Sequence, residues 1–426
     1  MYHERINGSG RCNDKLRNQT RQNLHGIAEA AQYTSVALIS AACRETVDTI
    51  HQIVREPRAD QFQLKRLAVL NLLNEVHSGG SEDDESSRAW GDVFKEIGQH
   101  HAVHLQVLFL AGMRGNNSSA QWHESAARLT NLQFLEVVRT TWQIPVPATV
   151  GRLTRLRKLA ASHNRNMESL PSGLLVNLVE LKLLYLGNNS LSTIPSLEKN
   201  TGLRKLYLDN NRLTKIPSLE KNTGLTNLKL ENNHLTSIPS LEKNTGLATL
   251  NLNTNHLTSI PSLKENTGLA SLNLEINHLT SIPSLEKNID LSNLYLANNR
   301  LARIPSLEKN TGLKYLNLYN NELTSIPSLM KNTGLTILKL QNNNLSLIPS
   351  LETNVALKAL SMQSNRLTTI PSFVNRLPHL KLLDVSDNAI TSLDTLRETT
   401  TMVRSRLKWL VTAGRQWVCV CVESPF

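Results

Sequence analysis

The chain has 426 residues, 40% of them apolar and 19% charged, so it can build a large core and does not have the composition of a disordered tail. Aromatic residues make up only 4%, which leaves the core to aliphatic side chains, and no apolar run approaches the ~18 residues of a membrane span. The formal charge of +11 is spread along the middle of the chain rather than gathered in a dense stripe, which argues against nucleic acid as a partner, and four cysteines without a C-x-x-C pair point to a reducing compartment.

In chain order, residues 1–20 are polar, lack the apolar stretch of a secretory signal and read as a disordered leader. Residues 21–104 read as a helical N-terminal region. Ala, Ile and Leu recur at roughly helical spacing over 21–56, a second helix is expected over 60–77, and a third over 88–104. Between the last two lies an acidic linker, 78–87, opening with Ser78-Gly79-Gly80-Ser81 and continuing Glu82-Asp83-Asp84-Glu85. His100 and His104 stand four apart here, but no third ligand accompanies them, so neither a metal nor a cofactor is expected.

Residues 105–180 hold irregular copies of a repeat, beginning at Leu105, Leu132 and Leu156. From 181 to 393 the copies become regular. A 22-residue unit, in the form LTNLKLENNHLTSIPSLEKNTG, starts at Leu181, Leu203, Leu225, Leu247, Leu269, Leu291, Leu313, Leu335 and Leu357, and a last one starts at Leu380 after a 23-residue step. Within the unit the L-x-L alternation marks a short strand with one buried face. An asparagine recurs three residues after the second of these leucines: Asn189, Asn211, Asn233, Asn255, Asn277, Asn299, Asn321, Asn343, Asn365 and Asn388. Stacked in register, these amides offer both a donor and acceptors to backbone groups where the chain leaves the strand, and so form a structural ladder. The I-P-S-L segment then stops strand pairing, and the short E-K-N-T-G return favours extended or 3₁₀-like turns over a full helix. No unit buries its leucines alone, so neighbours must stack. Residues 394–426 follow as a C-terminal helical cap and tail, with Leu396, Val403, Leu407 and Leu410 as the apolar stripe. The five tryptophans all lie outside the regular units, where irregular packing needs large fillers.

The L-x-x-L-x-L-x-x-N-x-L unit resembles the leucine-rich repeat family, in a 22-residue form similar to its phosphatase-regulator-like and internalin-like members. Asn200, Asn222 and Asn244 stand where that class often places another leucine. The resemblance implies an α/β fold: a right-handed, curved solenoid with short parallel strands on its concave face, between an N-terminal helical segment and a C-terminal helical cap. It also implies a protein partner on the concave face. The layout of polar leader, helical segment and repeats resembles that of effectors that bacteria inject into host cells, which implies a cytoplasmic protein or one exported by a non-Sec route. Some such effectors carry a C-terminal ubiquitin ligase with a C-x-D nucleophile. Cys421-Val422-Glu423 is a distant echo of that motif, three residues from the chain's end. A role in ubiquitin transfer is therefore the alternative to a non-enzymatic scaffold acting as a monomer.

Differences between units concentrate at the outward strand positions, and all five array tyrosines fall there. Tyr185, Tyr207, Lys229, Tyr295, Tyr315, Tyr319 and Lys339 are accordingly the expected partner-binding residues, with Tyr295, Tyr315 and Tyr319 expected to cluster. A second row, His234, His256 and His278, follows the ladder asparagine. Duplication copies a surface residue together with its unit, and this row reads as such a copy.

Overall fold

The computed structural model describes residues 36–41, 69–74, 90–95, 97–101, 105–391 and 409–411. The leader, the acidic linker, all four cysteines and most of 394–426 lie outside the described residues. By its contacts the chain divides into two compact units, Met1–Leu203 with Asn210–Arg212, and Arg204–Asp209 with Leu213–Phe426.

The first unit is a parallel sheet whose strands pair in chain order: β1 (Val36–Ala41), β2 (Val69–Asn74), β3 (Val107–Ala111), β4 (Phe134–Val138), β5 (Lys158–Ala160) and β6 (Leu183–Tyr185). β1 and β2 fall inside the segments 21–56 and 60–77 that were expected to be helical. The register gives the reason: Leu70 pairs with Leu108 and Leu72 with Leu110, so Leu67-Ala68-Val69-Leu70-Asn71-Leu72 spells L-x-x-L-x-L and adds one more coil. Pairing in this register decides the element against the looser helical spacing of the longer window. Within the segment 88–104 that was expected to be a helix, residues 90–95 are helical and Ile97–His101 form a π-helical turn.

Helix α1 (Asn116–Ala126) packs on that π-helical turn so closely that a Cβ on Gly98 would meet Ser125 Cβ at 3.0 Å. Here the core is aromatic. Phe94 lies 6.3 Å from Trp90, 5.9 Å from Trp122 and 6.0 Å from Trp142, ring centre to ring centre, and all four side chains are buried. Trp122 Nε1 donates to the Pro145 carbonyl at 3.0 Å. Three tryptophans thus act as the fillers that the irregular coils require.

The second unit continues the same construction with β7 (Lys205–Tyr207), β8 (Asn227–Lys229), β9 (Thr249–Asn251), β10 (Ser271–Asn273), β11 (Asn293–Tyr295), β12 (Tyr315–Asn317), β13 (Ile337–Lys339), β14 (Ala359–Ser361), β15 (Leu382–Asp384) and β16 (Trp409–Val411), each parallel to the next. β16 replaces the expected cap helix over its three residues: Leu410 pairs with Leu383, extending the leucine register by one strand. Leu396, Val403 and Leu407 lie outside the described residues.

One coil shows how the sequence dictates the rest. Leu225, Leu228, Leu230, Leu235 and Leu241 are fully buried, while Lys229 points to the opposite face of its strand. At about 1.5–3 kcal/mol for each buried leucine, stacking is what holds the coils. After the strand, Asn232 takes a left-handed conformation, φ 54°, which turns the chain out of the sheet. Asn233 then accepts from the Leu213 amide at 3.0 Å through Oδ1, and its Nδ2 donates to the carbonyls of Leu208, Leu230 and Glu231. The other ladder asparagines repeat this pattern through Asn388, and Asn164 adds a rung in the irregular coils by accepting from the Thr140 amide. The return strip is built of turns without helix in the regular coils, with 3₁₀ turns at Ala148–Arg152 and Ser372–Arg376 in less regular ones.

A second row of amides runs along the return side. Asn200, Asn222, Asn244, Asn266, Asn288, Asn310, Asn332 and Asn354, which replace the leucine of the short class, are fully buried. Each of the last six donates from Nδ2 to two carbonyls of the preceding coil, as Asn266 does to Leu241 at 3.0 Å and to Asn244 at 2.8 Å.

Candidate functional site

Because strand side chains alternate, one face of each sheet is leucine and the other is free to vary. The varying face carries the aromatic and charged side chains. In the first unit, Tyr185 is half-buried on β6, with Lys158 Nζ 5.6 Å from its ring centre. The same Nζ pairs with Glu136 Oε2 at 2.8 Å and lies 6.0 Å from the Phe109 ring centre. Lys158, Glu136 and Phe109 were not singled out from the sequence, since they sit in irregular coils. The signal was partly present: Phe109 is the outward residue of Leu105–Leu110, which spells L-x-x-L-x-L, whereas the stretches that hold Glu136 and Lys158 end in Val137 and Ala161 where the last leucine would stand.

In the second unit, Tyr207 and Lys229 come together, the Lys229 Nζ standing 4.7 Å from the ring centre. Tyr295 and Tyr315, on neighbouring strands β11 and β12, bring their rings to 4.8 Å at 35°, and Lys339 Nζ lies 5.9 Å from the Tyr315 ring centre. Tyr319 is half-exposed beyond the end of β12, where its amide donates to Asn317 Oδ1. The expected trio is thus a ring-contact pair with a third tyrosine further along the chain.

Beside the pair lies a constellation that the choice of tyrosines passed over. Glu275 Oε1 accepts from Asn317 Nδ2 at 2.5 Å, a bond that reaches across the intervening coil. In that coil the equivalent position is Ala297, small and only 2% exposed. Burial raises the Glu275 carboxyl above its ordinary pKa, against the lowering effects of the Asn317 bond and of Lys339. Glu231 is raised likewise, first by burial and further by the like charge of Asp209. Tyr295 is also raised, by burial and then by Tyr315 and Glu275. Two more amides are fixed in orientation on this face: Asn251 Oδ1 accepts from the Asn253 amide at 3.1 Å and Asn273 Oδ1 from the Glu275 amide at 3.0 Å, so each Nδ2 turns away from its own backbone.

At the strand-exit edge the histidine row forms a stack. His234 and His256 lie 5.7 Å apart at 7°, His256 and His278 5.8 Å apart at 18°, and all three are exposed. Among the described residues no group of three or more His, Cys, Asp or Glu side chains is arranged to hold a metal ion, and no helix is long and apolar enough to cross a membrane.

Comparison with known proteins bears on the repeats and on the fold. Sequence models of leucine-rich repeats match residues 179–221, 312–333 and 355–398. No curated protein matches the sequence. Among solved structures, a leucine-rich repeat protein of Leptospira interrogans is similar over 74% of this chain and 81% of its own, at 29% identity and a TM-score of 0.63. The functional domain of InlJ from Listeria monocytogenes is similar over 68% of this chain and 64% of its own, at 24% identity and a TM-score of 0.57. PEPR1, solved together with AtPEP1, is similar over 69% of this chain and 46% of its own, at 26% identity and a TM-score of 0.60. The repeats of this chain are leucine-rich repeats, and its fold is the leucine-rich repeat solenoid.

Proposed function

We propose that this protein is a non-enzymatic scaffold that binds a protein partner on the open face of its sheet, the concave face of the expected solenoid. The observation that carries the reading is the half-exposed Tyr295–Tyr315 pair, flanked by Lys339 and Glu275, on the face whose residues vary from coil to coil. Tyrosine offers an apolar ring and a polar tip at little entropic cost, which suits an interface anchor. Tyr207 with Lys229 and Tyr185 with Lys158 supply further anchors in their own units. PEPR1, with the same fold, was solved together with AtPEP1, which supports a partner-holding role for a solenoid of this kind. The same reading has the scaffold acting as a monomer in a reducing compartment, in keeping with its four cysteines. The layout of polar leader, helical segment and repeats, which resembles that of injected effectors, favours work inside a host cell.

The test is capture of partners on the immobilised full chain, set against a variant with Tyr295, Tyr315 and Tyr319 changed to Glu. Loss of specific proteins from the variant, with its circular dichroism unchanged, is the expected result. An identical set of captured proteins on both would overturn the assignment of the binding face.

A further inference from the structure

The centre of the open face in the second unit has a defined chemistry. Glu275 is a half-buried carboxylate held from one side by Asn317, and no cation lies within ion-pair distance of it among the described residues. The small Ala297 lets this carboxylate lie across the sheet rather than stand up into solvent. Next to it is the Tyr295–Tyr315 ring pair. Lys339 stands over the Tyr315 ring, while the ring of Tyr295, the neighbour whose hydroxyl feels the Glu275 charge, carries no cation over it among the described residues. A carboxylate taken partly out of water beside an aromatic face is complementary to one kind of group. That group is a cation flat enough to lie on the ring while donating to the carboxylate.

We infer that this place receives a basic side chain, arginine in preference to lysine, from an extended segment of the partner. The guanidinium stacks on Tyr295 and donates to the Glu275 oxygen that Asn317 does not occupy. The two oriented amides, Asn251 and Asn273, lie on the two coils before Tyr295, and their Nδ2 groups donate to carbonyl oxygens of the same segment as it crosses the strands. The burial that raises the Glu275 carboxyl gives this contact its strength, because an arriving cation removes the penalty of a poorly solvated charge. This inference deepens the proposed function and rests on it.

The experiment is selection of a random twelve-residue peptide library displayed on phage, run in parallel on the full-length chain, on Glu275→Gln, and on the double variant Tyr295→Ala with Tyr315→Ala. Glu275→Gln keeps the Asn317 bond and the side-chain volume, so its fold is expected to survive, as circular dichroism would show. The expected result is enrichment of peptides with a fixed arginine on the wild-type chain. Synthetic copies of these peptides should bind Glu275→Gln and the tyrosine variant at least tenfold more weakly, and exchange of the fixed arginine for lysine should cost less than exchange for glutamine. Peptides that lose binding to the tyrosine variant but not to Glu275→Gln would overturn the basic-side-chain site and leave the open-face reading standing. Peptides that bind all three proteins equally, or no enrichment on the wild type, would overturn both.

Discussion

The two rows of asparagine in the second unit are built from the same side chain at the same 22-residue spacing as far as Asn365, yet they do different work. In the inner row, at the strand exit, Asn277 Oδ1 is the acceptor for the Leu257 amide, and its Nδ2 serves the carbonyls of Leu252, Leu274 and Glu275. In the outer row, Asn266 Nδ2 adds a bond to two carbonyls that already accept from backbone: Leu241 from the Asn244 amide and Asn244 from the Leu247 amide. The Oδ1 of Asn266 has no hydrogen-bond partner. A buried polar group with no partner costs more than an ordinary hydrogen bond contributes. The inner row therefore satisfies an otherwise stranded donor, whereas the outer row supplies second bonds and strands an oxygen of its own.

The largest expected effect comes from breaking the inner row. Asn277→Leu leaves the Leu257 N–H buried without an acceptor and removes three further bonds, so a loss of about 3–5 kcal/mol is expected from urea denaturation. A loss below about 1 kcal/mol would show that the inner amides are ornament to the leucine stack.

A smaller effect, of opposite sign, comes from the residue that precedes the inner asparagine. That position is left-handed in every regular coil, and asparagine holds it in most of them: Asn188, Asn210, Asn232, Asn298, Asn320 and Asn342. In one coil it is Ile276, φ 52°, a β-branched side chain that is also 47% exposed. Isoleucine is strained there and, half-exposed, gains little from burial, so Ile276→Asn is expected to stabilise by about 1 kcal/mol in the same denaturation. The inner row thus demands a costly backbone turn before each rung, and the outer row lies among ordinary turns.

Charged groups sharpen the contrast with these neutral amides. The Glu275 carboxyl is raised above 4.5 in the fold, mainly by burial. The folded state therefore binds its proton more tightly than the unfolded chain does, and stability falls as pH rises from the unfolded pKa through the folded one. Glu275→Gln removes that loss. Its melting temperature relative to wild type should be higher at pH 7 than at pH 4, whereas Asn277→Leu should shift melting equally at both.

How much of this was legible in the sequence follows from what a repeat reveals. The strand register, the inner ladder and the absence of helix in the return strip could all be read from L-x-L, the recurrent asparagine and the I-P-S-L stop, because each is local and is written out many times. The strands at Val36–Ala41 and Val69–Asn74 were hidden by apolar residues that also fit a helix, and only the pairing of β1 with β2 and of β2 with β3 fixes their period. The bond from Asn317 to Glu275 spans two coils and depends on Ala297 between them, so no single unit announces it. Tyrosine was visible as an anchor by its type, whereas a carboxylate becomes distinctive only once its burial is known.

The outer row supplies the smallest effect and the most direct comparison. Asn266→Leu restores the residue that the short repeat class often carries at this place. It forfeits two hydrogen bonds of about 1 kcal/mol each to carbonyls that keep their backbone donors, and it removes a buried oxygen without a partner, a change of about the same size in the other direction. The two nearly cancel, and the leucine adds apolar contact near Leu241 and Leu263, the buried leucines whose carbonyls Asn266 bonds. The expected stability is within about 1 kcal/mol of wild type, against several for Asn277→Leu. Should Asn266→Leu instead cost as much as Asn277→Leu, the outer oxygen must be satisfied in solution, and both rows would be ladders of one kind.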